Sequence, residues 1–190
     1  MPSAARGKLI VISAPSGAGK TTIAREVMRL NPSLGFSVSA TTRPRRESEV
    51  DGRDYHFLTA EEFRRRVDAG DFVEWEEIFG NLYGTLRSEV DRALAAGRHL
   101  LFDVDVKGGL SIKRAYPASL LIFIRPPGAA VLESRLRGRR TEDEATIARR
   151  LARVPMELSM GAAFDRQVVN DDLARAVGEV QEILETYLQS

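Results

Sequence analysis

Leu9-Ile10-Val11-Ile12-Ser13-Ala14-Pro15-Ser16-Gly17-Ala18-Gly19-Lys20-Thr21-Thr22 decides how this chain is read. The apolar run Leu9–Ile12 predicts a buried strand. Ile23, Val27 and Leu30 follow at helical spacing. Strand, glycine-rich turn, Gly-Lys-Thr and helix together form the context a P-loop requires. Glycines let successive backbone N–H groups curl around an anion, and the helix N-terminus aims unpaired donors at the same point. Lys20 is placed to reach terminal phosphates, and the Thr21 hydroxyl to ligate Mg²⁺. Ala14 stands where the pattern has its first glycine, and alanine is the smallest substitute.

Other apolar runs extend this reading. His99–Val104, Leu120–Ile124 and Gln167–Val169 are continuous rather than alternating, as expected of strands covered on both faces. Thr59-Ala60-Glu61-Glu62 predicts a capping box opening a helix that contains Phe63 and Val67 and stops near Gly70. Thr141-Glu142-Asp143-Glu144 predicts a second, followed by Ile147, Leu151 and Val154 and stopped by Pro155. Leu173, Val177, Val180, Leu184 and Leu188 give a C-terminal helix one apolar face. The layout predicts an α/β core with a parallel sheet. Residues 36–86 differ. Phe36–Ser39 and Asp54–Phe57 alternate, Phe72–Trp75 follows, and Phe79-Gly80-Asn81-Leu82 reads as a hairpin with Gly-Asn at its turn. These predict a small mixed or antiparallel sheet inserted into the core.

Composition bounds the function. The 190 residues suffice for one unit with a sizeable core, and 43% apolar with 29% charged residues is ordinary for a globular protein. A formal net charge of +1, without interleaved aromatic and basic residues, argues against a nucleic-acid surface. Cysteine is absent, which excludes disulfides, thiol catalysis and cysteine metal sites. Leu9–Ala14 is too short to cross a membrane and the first seven residues form no apolar targeting segment, so the expectation is a cytoplasmic protein without membrane partners. His56 and His99 read as structural or surface residues.

A second constellation narrows the reading. Ser39-Ala40-Thr41-Thr42-Arg43-Pro44-Arg45-Arg46 is followed by Gly52-x-x-Tyr55-x-Phe57, Glu74-Trp75 and Gly80-Asn81-x-Tyr83-Gly84-Thr85. Further on come Asp103-Val104-Asp105, a stretch of the form R-L-x-G-R beginning at Arg135, and Val168-Val169-Asn170-Asp171-Asp172. In this order the motifs resemble those of the guanylate kinases, nucleoside monophosphate kinases of the P-loop class, over nearly the whole chain.

The resemblance implies a three-layer P-loop kinase core with a parallel sheet (1–35, 88–126 and 156–190), a mixed-β GMP-binding insertion (36–87) and a helical lid (127–155). It implies phosphoryl transfer from ATP to GMP with Mg²⁺. Ala14, Pro15, Ser16, Gly17, Ala18, Gly19, Lys20, Thr21 and Thr22 would bind ATP. Ser39, Arg43, Arg46, Tyr55, Glu74, Tyr83, Gly84, Thr85 and Asp103 would bind GMP. Lys20, Arg43, Arg135, Arg139 and Arg150 would act in catalysis. Thr21 would ligate Mg²⁺, with Asp103 acting through water or contacting guanine instead; Asp105 is a weaker candidate. Guanine offers two adjacent donors, N1–H and N2–H, to a carboxylate such as Glu74, and an O6 acceptor to Ser39. Arginines fork onto phosphate oxygens, and tyrosines add hydroxyl donors.

Two other classes fit parts of the pattern. An interaction module with this fold would have a degraded P-loop, whereas Lys20 and Thr21 are present. A kinase of phosphorylated sugars would lack the residues reading guanine, whereas Ser39, Glu74 and Asp103 are present. Lys107, Ser48 and Arg140 depart from the family's usual glutamine, glycine and glycine. Monomers and larger assemblies both occur in the family, so oligomeric state stays open.

Overall fold

A computed structural model describes residues 7–78, 80–138 and 144–190. The elements run β1 (Leu9–Ser13), α1 (Lys20–Leu30), β2 (Leu34–Phe36), β3 (Ala40–Thr41), β4 (His56–Phe57), α2 (Ala60–Asp68), β5 (Phe72–Ile78) and β6 (Asn81–Leu86). There follow α3 (Arg87–Ala95), β7 (His99–Asp103), α4 (Val106–Ala115), β8 (Leu120–Arg125), α5 (Ala129–Gly138), α6 (Glu144–Gly161), β9 (Arg166–Val169) and α7 (Leu173–Gln189).

Five strands form a parallel sheet in the order β2-β7-β1-β8-β9. Every residue of β1 is buried, as are the first five of β8. Successive side chains alternate between two apolar layers. Ile10 and Ile12 join Ile23, Val27, Val177 and Val180, whereas Leu9 and Val11 join Val90, Ile112, Leu121 and Phe123. This two-sided burial explains the apolar runs of β1, β7 and β8; β9 differs from the expectation, since as an edge strand it buries Val168 and leaves Arg166, Gln167 and Val169 exposed. Parallel pairing needs crossovers, which the helices supply.

A second sheet has the order β4-β3-β6-β5. β3 pairs parallel with β4, while β6 runs antiparallel to β3 and β5. Its apolar side packs on Ala40, Phe63, Phe72, Leu82 and Leu86, with the Phe63 and Phe72 rings stacked at 4.3 Å. Between the sheets lies α4, which carries two adjacent glycines. A Cβ at Gly109 would stand 2.8 Å from the Phe164 ring and 3.2 Å from Val11. A Cβ at Gly108 would stand 3.0 Å from the Glu74 carboxylate. The missing side chains let one helix approach both sheets.

Several local expectations change. Phe36 closes β2 and joins the parallel sheet, so Phe36–Ser39 is not one alternating strand. Three residues suffice to pair with β7 at the sheet edge. Gly80-Asn81 is not the turn pair of the β5–β6 hairpin: Asn81 already belongs to β6 and pairs with Ile78, and Gly80 adopts φ +78°. Thr59 caps α2 by accepting from the Glu62 N–H, but the Glu62 carboxylate turns to Arg65 and Arg66, leaving the capping box one-sided. Pro155 does not stop α6, which continues to Gly161. Proline removes one ladder donor there, while Val154, Glu157 and Gly161 stay buried on the packed face. The Thr141–Asp143 part of the second capping box lies outside the described residues, as do Phe79, Arg139 and Arg140. Among the described residues no helix is long and apolar enough to cross a membrane.

Candidate active site

The site begins where β1 ends. Buried β1 delivers the chain into a turn in which Gly17 and Gly19 adopt φ +86° and +95°. Both conformations disfavour a side chain, and there is no room for one. A Cβ at Gly17 would stand 2.9 Å from Leu136, and one at Gly19 would stand 2.3 Å from the Asn170 amide. Ala14 is 7% exposed, so its methyl belongs to the core and the alanine at this position is accommodated.

Lys20 opens α1 and turns back to the sheet. Its Nζ lies 2.7 Å from Asp103 Oδ1 and donates to the Val104 carbonyl at 2.8 Å. Thr21 Oγ1 donates to Asp103 Oδ2 at 3.0 Å. Register explains the meeting, because Asp103 ends β7 directly beside Ile12 of β1. Ser16 Oγ accepts from Arg150 Nη1 at 2.9 Å, and the Ser16 N–H points to Glu157 Oε2 at 3.4 Å. Arg135 Nη2 donates to the Asn170 carbonyl at 3.0 Å, while its buried Nη1 has no partner among the described residues. Thr22 is exposed on α1. The cleft over this loop has a volume of about 630 Å³ and is lined by Lys20, Thr21, Glu77, Asp105, Arg149 and Arg153, among others.

The second sheet carries two further groups. Arg43 forks onto Glu49 at 3.1 and 2.7 Å, and its guanidinium lies over the Tyr55 ring at 5.3 Å. The Glu49 carboxylate also accepts from the Arg46 N–H at 2.8 Å, while the Arg46 side chain extends into solvent. Arg43 holds the Glu49 carboxyl below its usual range. Tyr55 and Tyr83 meet edge to face at 6.3 Å, and burial pushes the Tyr55 phenol upward. Together these make a cationic and hydroxyl-bearing patch suited to an anion.

The other group surrounds Glu74. Its Oε1 accepts from Thr85 Oγ1 at 2.6 Å across a β5–β6 pair. Burial pushes the Glu74 carboxyl up to about 7; the Thr85 hydrogen bond opposes the shift and the Asp105 charge adds to it. Gly84 admits the strand crossing, since a Cβ there would stand 2.9 Å from the Glu74 carbonyl and from Trp75. Ser39 directly precedes Ala40, which pairs with Gly84. Ser39, Glu74, Gly84 and Thr85 are therefore neighbours, separate from the Arg43–Tyr55–Tyr83 patch.

Sequence reasoning gives no role to four residues here. Buried Asn170 donates from Nδ2 to the Ala18 carbonyl at 2.8 Å, bracing the turn from the end of β9. Glu157 and Arg153 lie on the α6 face that meets the loop, and Gly108 makes room for Glu74. A helix extending beyond Pro155 was the signal for Glu157. Nothing local marks Arg153 among seven nearby arginines. Among the described residues no cluster of three or more His, Asp or Glu is arranged to hold a metal by itself.

The comparisons fit this arrangement. A sequence model of the family described as guanylate kinase matches residues 6–187. Guanylate kinase of Chlorobium luteolum is 48% identical over 185 residues, covering 97% of this chain and 94% of the relative. That of Gloeobacter violaceus is 50% identical over 177 residues, covering 93% and 86%. The crystal structure of guanylate kinase from Anaplasma phagocytophilum superposes with a TM-score of 0.74 at 30% identity, covering 96% of this chain and 86% of the other.

Proposed function

The chain belongs to the guanylate kinase family and phosphorylates GMP to GDP with ATP, and we propose how its residues divide that work. The observation carrying the proposal is the enclosed Glu74 carboxylate, held by Thr85 beside Ser39 and joined through one sheet to the Arg43–Tyr55–Tyr83 patch. Ionised Glu74 accepts guanine N1–H and N2–H, and Ser39 donates to O6. Adenine offers no such donor pair, so the half-enclosed carboxylate would keep Thr85 as donor but gain none from the base. Arg43, Arg46, Tyr55 and Tyr83 hold the GMP phosphate. To do so Arg43 exchanges part of its fork on Glu49 for phosphate oxygens.

The Ala14–Thr22 turn holds the ATP phosphates. Lys20 exchanges its Asp103 partner for a phosphate oxygen, and Arg135, Arg139 and Arg150 close over the donor as lid residues. A GMP phosphate oxygen attacks the γ-phosphorus, the bond to the β,γ-bridging oxygen breaks, and ADP leaves with that electron pair. The attacking oxygen is already anionic near neutral pH, so no general base is required. The barrier lies in bringing two polyanions together, and fixed cations lower it.

The Thr21 and Asp103 oxygens suit Mg²⁺, a hard ion that keeps water and phosphate in its shell and needs few protein ligands. When bound it neutralises phosphate charge. Thr21 would hold it directly and Asp103 through water. The reaction is placed in the cytoplasm, in keeping with its small-molecule nucleotide substrates.

The test is a coupled ADP-release assay with GMP, AMP, CMP and UMP. Turnover with GMP should exceed the others by ~10⁴-fold in kcat/KM. Equal turnover across the panel would remove Glu74 and Ser39 from base recognition.

A further inference from the structure

Arg153 joins α6 to the second sheet. Its Nη2 lies 3.3 Å from Glu76 Oε1 on β5 and 3.7 Å from Asp105 Oδ2 at the N-cap of α4. Its Nε lies 3.5 Å from Glu157 Oε1, one turn further along α6. One guanidinium thus joins carboxylates from three elements. Glu76 Oε2 and Asp105 Oδ2 are both buried, and neither has a hydrogen-bond partner among the described residues. Burial and the adjoining Asp105 carboxyl push the Glu76 carboxyl up to about 7, and the charge of Arg153, with that of Lys107, works against this and favours the ionised pair.

The two ends of this bridge lead to the two nucleotide sites. Glu76 lies two residues from Glu74, on the same face of β5, and pairs across the sheet with Tyr83. On α6, Arg150 lies three residues before Arg153 and Glu157 four residues after it, along one helix face. Arg150 and Glu157 are the residues that meet the Ser16 hydroxyl and N–H. Shifting β5 away from α6 would strip Arg153 of Glu76 and expose two carboxylates. Shifting α6 would carry Arg150 and Glu157 off the turn.

We infer that Arg153 is a positioning residue coupling the two substrate sites: its bridge to Glu76 favours the arrangement in which the GMP-binding sheet stands against α6 while α6 holds Arg150 on the ATP-binding turn. This rests on the residue assignments proposed above. Coupling of this kind is reciprocal, so GMP should tighten the donor nucleotide and the donor should tighten GMP by the same factor.

The experiment is calorimetric titration of the whole protein with a non-hydrolysable ATP analogue, with and without saturating GMP. Wild type should show about fivefold or greater tightening by GMP. In Arg153→Ala and in Glu76→Ala the factor should fall below about twofold, and the double variant should fall no further. Arg153→Lys, which keeps the charge, should restore part of the coupling. A merely structural role would weaken both titrations together and leave their ratio unchanged. The inference is overturned if wild type shows no tightening, if the Arg153→Ala ratio equals that of wild type, or if the two single effects add. Arg150→Ala in parallel separates the readings: unaltered analogue binding and turnover there would remove Arg150 from the donor site, whereas a loss there with additive Arg153 and Glu76 effects would remove the coupling alone.

Discussion

The two sheets of this enzyme flank the same helix but are built differently. The parallel sheet is sealed on both faces at its centre, with every β1 residue buried, while its edge strands β2 and β9 reach solvent. The second sheet is covered on one side by Phe63, Phe72 and Leu82, while β5 alternates toward solvent and leaves Trp75 49% exposed. The sealed sheet fixes a turn whose geometry tolerates little change; Gly17, Gly19 and Asn170 leave no space around it. The half-open sheet presents polar side chains toward α4 and α6. A rigid donor platform and a thinner acceptor clamp suit an enzyme that must bring two polyanions together and keep water out.

The largest test of this contrast lies on the rigid side. Lys20→Ala should leave the fold intact by circular dichroism and lower kcat by ~10³-fold, because it removes a fixed charge from the proposed phosphoryl site. Wild-type kcat in that variant would show that the turn is scaffold and not machinery.

The next effect lies on the acceptor side and depends on pH. Burial raises the Glu74 carboxyl of the free protein to about 7, and in the proposed contact guanine donors would favour its ionised form. GMP binding therefore expels a proton below that value. Affinity should be flat above about pH 7 and fall about tenfold per unit below it. Calorimetric GMP titrations between pH 5.5 and 8.5 check this, with Glu74→Gln as the control that loses the Glu74 part of the slope (these pH limits are roughly 1.5 units either side of the expected midpoint). The same shift reverses sign for the unliganded fold. A carboxyl raised from 4.5 to about 7 contributes stability at low pH that is lost as pH rises through that window. An identical slope in wild type and Glu74→Gln would remove Glu74 as the titrating group.

The smallest effect lies between the sheets. Gly108→Ala places a methyl 3.0 Å from Glu74 Oε2 and 3.2 Å from Asp105 Oδ1. Alanine also favours the helix by about 0.5–1 kcal/mol. The expected result is a rise of about threefold in KM for GMP, with Tm held and kcat nearly unchanged. A fall in Tm without any change in KM would assign Gly108 to packing alone.

Legibility in the sequence follows the same division. Continuous apolar runs marked β1, β7, β8 and β9, and the Gly-Lys-Thr turn marked the donor side, because each signal is local. The acceptor side was harder. Bottom-up, Glu74 could not be separated from Glu76 and Glu77; only the resemblance chose it. The alternation at Phe36–Ser39 points to the wrong sheet for Phe36, because three residues at an edge carry no clear period. Pro155 read as a stop because the cost of proline is local, whereas the packing of Val154 and Glu157 that sustains α6 is not.

The sequence by itself determined the glycine-rich strand–turn–helix, the parallel core and, through its ordered motifs, the family. Those depend on periodicity and on residue types within one segment. Only the tertiary structure decided that Asp103 meets Lys20 and Thr21, that Asn170 braces the turn, and that Arg153 reaches Glu76, Asp105 and Glu157. Each of these joins residues far apart in the chain. A side chain's partner across such a distance is set by strand order and helix packing, which no local pattern encodes.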